Sequence, residues 1–195
     1  MNNKIIIICG FSSAGKDKVT KYISENYNYK FITSHTSRPI RLNESEGNPY
    51  HFISKQKFEK MIENNEFIEY RKYSTLVNNV PDIWYYGVHK NSVNLSQNSY
   101  VVVLDMLGTI EFKKYFGDSI ISFFIDVDEP TRKQRCINRK DFDEYEWNRR
   151  YKDDIKQFPK EIIKNEIDYI IKNYDFDKCI NKISNIINGG NNEKV

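Results

Sequence analysis

The chain alternates short apolar runs with longer amphipathic or polar stretches. Ile5-Ile6-Ile7-Ile8-Cys9 is apolar at every position and ends at Gly10, the pattern of a strand buried on both faces of a parallel sheet. From about Lys16 to Tyr27 the period changes, and Val19, Tyr22 and Ile23 share one side of a predicted helix. Thr33 to Pro49 is too rich in Ser, Arg, Glu and Gly to be core. Phe58, Met61 and Ile62 return to helical spacing, and Phe67-Ile68-Glu69-Tyr70 reads as a strand. Buried strands follow at Tyr100 to Leu104, ending at Asp105, and at Ile120 to Ile125, ending at Asp126. Asp128-Glu129-Pro130 opens a helix with an acidic cap and a proline in its first turn. Lys133 to Tyr151 is heavily charged, Asp168 to Ile171 is a last strand, and Ile180, Ile183 and Ile187 mark a closing helix. The tail from Gly189 to Val195 is expected to be disordered. Strands alternating with helices predict an α/β fold, a parallel sheet flanked by helices.

Composition narrows this picture. At 195 residues the chain suits one α/β unit with small mobile subdomains. A net charge of +3 suits a polyanionic small molecule and is too weak to argue for nucleic acid. Cys9, Cys136 and Cys179 lack metal-ligand spacing and read as reduced thiols. No stretch approaches the roughly 20 apolar residues of a membrane helix. The first apolar run is too short for a signal peptide, and no small-residue cleavage site follows it. A cytoplasmic protein without membrane partners is expected.

The first candidate chemistry lies directly after the first strand. Gly10-Phe11-Ser12-Ser13-Ala14-Gly15-Lys16 fits G-x-x-x-x-G-K, between a strand and a helix. Glycines let backbone N–H groups turn onto phosphate oxygens, the helix N-terminus adds positive dipole, and the lysine bridges the outer phosphates. The next residue, where a Ser or Thr hydroxyl holds Mg²⁺ in such loops, is Asp17. Two readings of Asp17 stand side by side: a helix-start residue favoured by the dipole, or a carboxylate in an altered magnesium shell.

The polar stretch carries the second candidate. Thr33-Ser34-His35-Thr36-Ser37-Arg38-Pro39-Ile40-Arg41 leads into Glu44-Ser45-Glu46-Gly47-Asn48-Pro49-Tyr50-His51-Phe52. Arg38 and Arg41, with Tyr50 and a nearby serine hydroxyl, suit a phosphate monoester, because the planar guanidinium donates in pairs to phosphate. This segment resembles the GMP-binding segment of guanylate kinases, S-x-T-[TS]-R-x-x-R-x-x-E-x-x-G-x-x-Y-x-F. The likeness continues through Phe58 to Ile62 and Glu66 to Tyr70. It implies a P-loop kinase fold with the core in residues 1–32 and 95–188, an NMP-binding subdomain in 33–94 and a lid at about 134–152. It further implies that Ser34, Arg38, Arg41, Tyr50 and Tyr86 hold the GMP phosphate and that Glu69 accepts from guanine N1–H and the 2-amino group. Lys16 and the loop residues Gly10, Ser12, Ser13, Ala14, Gly15 and Asp17 would hold ATP, with Mg²⁺ bridging its phosphates.

The resemblance thins after Ser74. Residues Thr75 to Ile83 intervene before Trp84-Tyr85-Tyr86-Gly87-Val88, and Val88 stands where the family carries a Ser or Thr that contacts guanine O6. Val103-Leu104-Asp105-Met106-Leu107-Gly108 resembles D-x-D-x-Q-G with the second Asp kept as Asp105, implying an acceptor contact or, on the plainer reading, a strand-end cap. Arg135, Arg139 and Arg150 match the lid arginines, Arg139 and Arg150 lying eleven residues apart. Such cations serve equatorial oxygens that gain charge during phosphoryl transfer. Asn173, in Asp168-Tyr169-Ile170-Ile171-Lys172-Asn173, matches the family's asparagine near the donor adenine. The expected activity is ATP-dependent phosphorylation of GMP or dGMP by a monomer or homodimer acting on small-molecule nucleotides. The alternatives are a kinase for another nucleoside monophosphate or for ribose 1,5-bisphosphate, and a non-catalytic domain that binds protein partners.

Overall fold

The isoleucine run forms β1, Ile5–Gly10, and all six of its residues are buried. In the structure, a computed structural model, residues 3–41, 44–48, 50–77, 80–138 and 142–190 are described, with the side chains of 75–77 left outside the description. The chain divides into two compact units, Met1–Lys30 with Ser99–Val195, and Phe31–Asn98.

The first unit is built on a five-stranded sheet. β1 runs parallel to both β7 (Tyr100–Val103) and β8 (Ile120–Asp126). β9 (Tyr169–Lys172) adds to β8 in parallel, and the two-residue β2 (Lys30–Phe31) edges β7. Apolar side chains on both faces of β1 need helices on both faces of the sheet. The core beneath joins Ile6, Ile8, Val19, Ile23, Phe123, Ile125, Ile180 and Ile183 from β1, β8 and the helices α1 (Lys16–Tyr27) and α7 (Phe176–Ile187). The helices α3 (Met106–Phe116), α4 (Glu129–Ile137), α5 (Glu144–Gln157) and α6 (Lys160–Glu166) complete the unit. Aspartates cap four of its helices, each accepting a first-turn N–H: Asp105 from Gly108, Asp128 from Thr131, Asp143 from Glu146 and Asp175 from Lys178. The expected disordered tail begins, at Gly189 and Gly190, as a hydrogen-bonded turn closing α7. Its remainder, residues 191–195, lies outside the described residues.

The second unit carries a four-stranded sheet in the order β4 (Tyr50–Phe52), β3 (Ser34–Thr36), β6 (Val80–His89), β5 (Phe67–Val77). α2 (Lys55–Glu63) covers one face, where Phe58 stacks on Phe67 at 4.3 Å and on Tyr85 at 5.2 Å between ring centres. Of the stretch 75–83 that intervenes in the sequence, the described residues extend β5 and β6: Thr75 pairs with Asp82 and Val77 with Val80. This cross-strand pairing satisfies backbone groups that a loop would leave to water. Short strands also form at both ends of the polar stretch, where backbone pairing overrides polar composition.

Candidate active site

In the first unit the phosphate loop has the backbone its glycines predict. Gly10 has φ +146°, and a Cβ there would meet the Ile125 carbonyl at 2.7 Å. Gly15 has φ +94°, with the Asn173 amide 2.6 Å from where a Cβ would stand. Both positions therefore exclude side chains, as a loop whose backbone approaches a polyphosphate requires, and the Ala14 N–H donates to the Phe11 carbonyl at 3.2 Å. The Lys16 ammonium donates to the Gly10 carbonyl at 2.8 Å and the Phe11 carbonyl at 2.9 Å. Burial pulls it below the usual lysine range, while Asp154 and Asp17 pull the other way. Asp17 is exposed in the first turn of α1 and is the carboxylate of the loop open to solvent. Among the described residues no group of three or more His, Cys, Asp or Glu side chains could hold a metal by itself.

Asn173 is 3% exposed and donates from its amide to the Ala14 carbonyl at 2.8 Å, so it braces the loop from within the unit. Arg135 bonds the Ala14 carbonyl at 3.4 Å and the Asn173 carbonyl at 2.6 Å. Arg150 is exposed on α5 and shares Glu146 with Arg149, each at 2.7 Å. Arg149, then Arg150, hold the Glu146 carboxyl at about 2. Arg139 lies outside the described residues. Asp105 caps α3 through Oδ1, which accepts the Gly108 N–H at 2.7 Å. Two residues that the sequence did not mark also reach the loop: Arg132 of α4 and Asp154 of α5, both buried, bond Ser12. Cys9, beneath the loop, is buried, and burial pushes its thiol up to about 12.

In the second unit the acceptor candidates gather on one sheet face. Ser34 lies opposite Tyr50, Thr36 opposite Tyr86, Tyr86 opposite Arg71, and Val88 opposite Glu69. Directly paired and alternate positions share a face, so Ser34, Tyr50, Tyr86, Arg71 and Glu69 point the same way. Arg38, 4% exposed, is held by both oxygens of Glu44 at 2.7 and 3.0 Å, with its charge 5.6 Å from the Tyr50 ring centre. The Arg38 hydrogen bond holds the Glu44 carboxyl below its usual range. Glu44 also accepts the Arg41 backbone N–H at 2.9 Å, while the Arg41 side chain is exposed. Glu69 is 8% exposed and lies 3.5 Å from the Arg71 guanidinium. Val88 is fully buried and brings no donor. Beside Glu69 the donor is Arg71, a residue the sequence left unmarked because a lone strand arginine has no pattern to announce it.

Comparison with known proteins follows the same lines. The guanylate kinase family model matches residues 2–189. A guanylate kinase of Wigglesworthia glossinidia brevipalpis is 34% identical over 99% of this chain and 91% of its own. One of Mycoplasma mobile is 31% identical over 95% and 92%. Among solved structures, a guanylate kinase from Anaplasma phagocytophilum shares the fold with a TM-score of 0.66 at 23% identity, over 96% of this chain and 85% of that one. With a matched profile along nearly its whole length and curated relatives above three-tenths identity, the chain belongs to the guanylate kinase family.

Proposed function

We propose that this enzyme transfers the γ-phosphoryl group of ATP to GMP or dGMP, giving ADP and GDP or dGDP. The observation that carries the reading is the pairing of two built sites in one chain. One is a phosphate loop with its lysine, and the other is a sheet face bearing a pre-fixed Arg38 and a buried Glu69.

On this reading Lys16 and the loop amides receive the ATP phosphates, the Ala14 N–H leaving the Phe11 carbonyl to do so. The acceptor phosphate is held by Arg38 and Arg41 with the Tyr50, Tyr86 and Ser34 hydroxyls. Glu69 takes guanine N1–H and the 2-amino group, two donors that adenine does not offer in that arrangement, and Arg71 supplies the neighbouring donor that Val88 lacks. Arg135, Arg139 and Arg150 place positive charge about the transferring group. Asp105 and Asn173 act as supports, one capping α3 and the other bracing the loop. Mg²⁺, when bound with ATP, neutralises phosphate charge, and Asp17 is the side chain that would hold it, a carboxylate in place of a hydroxyl. The acceptor phosphate is already an anion, so catalysis needs positioning and charge more than a general base. The core, NMP-binding and lid subdomains are assigned as residues 1–32 with 95–188, 33–94, and about 134–152. We place the enzyme in the cytoplasm as a monomer or homodimer.

The test is ADP release from Mg-ATP with GMP, dGMP, AMP, dTMP, CMP or ribose 1,5-bisphosphate as acceptor. Turnover confined to GMP and dGMP is expected. Preference for another acceptor would overturn the guanine assignment, and silence with all six despite ATP binding would overturn the kinase reading.

A further inference from the structure

Ser12 stands in the first half of the phosphate loop and is held by a pair of buried charges. Asp154, 7% exposed, accepts the Ser12 backbone N–H at 2.7 Å through Oδ2 and the Ser12 hydroxyl at 3.1 Å through Oδ1. Arg132, 3% exposed, donates from Nη1 to the Ser12 carbonyl at 3.2 Å and to Asp154 Oδ2 at 3.4 Å. Its Nε reaches the Val127 carbonyl at 3.1 Å, and its charge lies 4.7 Å from the Phe11 ring centre. The N–H, O–H and C=O of Ser12 are thus all engaged, two by the carboxylate and one by the guanidinium.

Stability is a poor account of this arrangement. Removing a carboxylate and a guanidinium from water costs several kcal/mol per ion, and apolar residues of similar volume often do as well. Burial accordingly pushes the Asp154 carboxyl up. A negative charge here also opposes an arriving polyphosphate, although it favours the charged form of Lys16. The geometry supplies a different account. Arg132 stands on α4 one turn before Arg135, and Asp154 stands on α5 one turn after Arg150. The pair therefore ties both arginine-bearing helices to the first half of the loop.

We propose that Asp154 and Arg132 form a positioning pair: by fixing Ser12 they hold the following loop amides in register for the donor phosphates and set α4 and α5 against the loop. The proposal rests on the donor-site reading above, and its test separates the two. Binding of a fluorescent ATP analogue with Mg²⁺, binding of GMP, and thermal unfolding are measured on the full chain. The variants are Asp154→Ala, Asp154→Asn, Arg132→Met and the double Arg132→Met/Asp154→Ala.

Each single replacement at Ala or Met strands a buried charge and lowers the melting temperature. The double variant, with neither charge, recovers it. ATP-analogue affinity falls about tenfold in Asp154→Ala and stays low in the double variant, as expected for loss of charge-assisted bonds to the loop. GMP affinity stays within about twofold, since the hydrogen bonds that define the pair lie within the first unit. Asp154→Asn, which keeps an acceptor for Ser12, recovers most of the ATP-analogue affinity. If the unmodified protein does not bind the analogue, the donor-site reading falls. If it binds, a double variant that melts and binds like the parent reduces the pair to an ordinary ion pair, and Asp154→Asn as weak as Asp154→Ala also overturns the positioning role. Should the alanine variants fail to fold, Ser12→Ala reads the same contact from the loop side, with about threefold weaker analogue binding expected from one lost hydrogen bond and parental binding counting against the pair.

Discussion

Arg38 and Arg41, the two arginines proposed for the acceptor phosphate, sit three residues apart but are held differently. Arg38 is buried and gripped by both Glu44 oxygens, so its fork is oriented before any ligand arrives. The Arg41 side chain is exposed and must give up rotamer freedom to bind. Arg41→Ala should raise the GMP KM by about 10- to 100-fold, the range for losing a charged hydrogen bond of ~1.5–3 kcal/mol. The KM for ATP should stay within about twofold, because the role proposed for Arg41 is on the acceptor side alone. Steady-state kinetics with each substrate varied in turn decides it, and equal loss at both sites would remove Arg41 from the acceptor role. What the sequence conveyed at this scale followed from distance along the chain. The loop and the two arginines lie in contiguous motifs, so residue type and spacing were enough to mark them. Asp154 reaches Ser12 across 142 positions, and one aspartate in a charged helix carries no local mark of that. Asn173 and Asp105 were legible as positions, yet their observed bonds brace the loop and cap a helix.

At the scale of elements, the second unit depends on one small apolar seam between α2 and its sheet. Ser54 caps α2 by accepting the Lys57 N–H, and Phe58 and Met61 turn inward at helical spacing. Phe58 is fully buried between Phe67 and Tyr85. Truncating it removes the ring from two stacked contacts and leaves a cavity, so Phe58→Ala should destabilise by about 3–5 kcal/mol. Hydrogen exchange resolved along the chain checks where the loss falls. Faster exchange confined to residues 31–98 is expected, and uniform acceleration through β1 and β8 would show that the two units unfold as one. The helical period around Phe58 was readable in advance because its contacts are local. The β5–β6 extension was not, since Thr75–Asp82 and Val77–Val80 are cross-strand pairings and the strand residues between them lack alternating polarity.

For the molecule as a whole, the distribution of histidines sets an acid limit. All three histidines of the chain lie in the second unit, and His35 has its ring centre 4.9 Å from that of His51 and 5.7 Å from that of His89. Glu46 bonds His51 and Glu66 bonds His89, whereas the buried Nδ1 of His35 has no hydrogen-bond partner among the described residues. Burial first, then His51 and His89, with Lys57 adding to them and Glu46 opposing, lower the His35 pKa from 6.5 to about 4. The folded chain thus binds a proton at His35 less readily than the unfolded chain. Stability is fully present above about pH 6.5 and is lost progressively as pH falls toward 4. Glu46 and Glu66, both held below the usual carboxylate range, lose their stabilising contribution only further into acid. His35→Phe keeps an aromatic ring against His51 and cannot titrate. Thermal unfolding at about pH 7.5, 5.5 and 4.5, across the titration of His35, should show a smaller drop for this variant than for the parent. Parallel curves would mean that acid acts elsewhere, whereas convergence at low pH would place the first acid-sensitive element in the unit that carries the acceptor candidates.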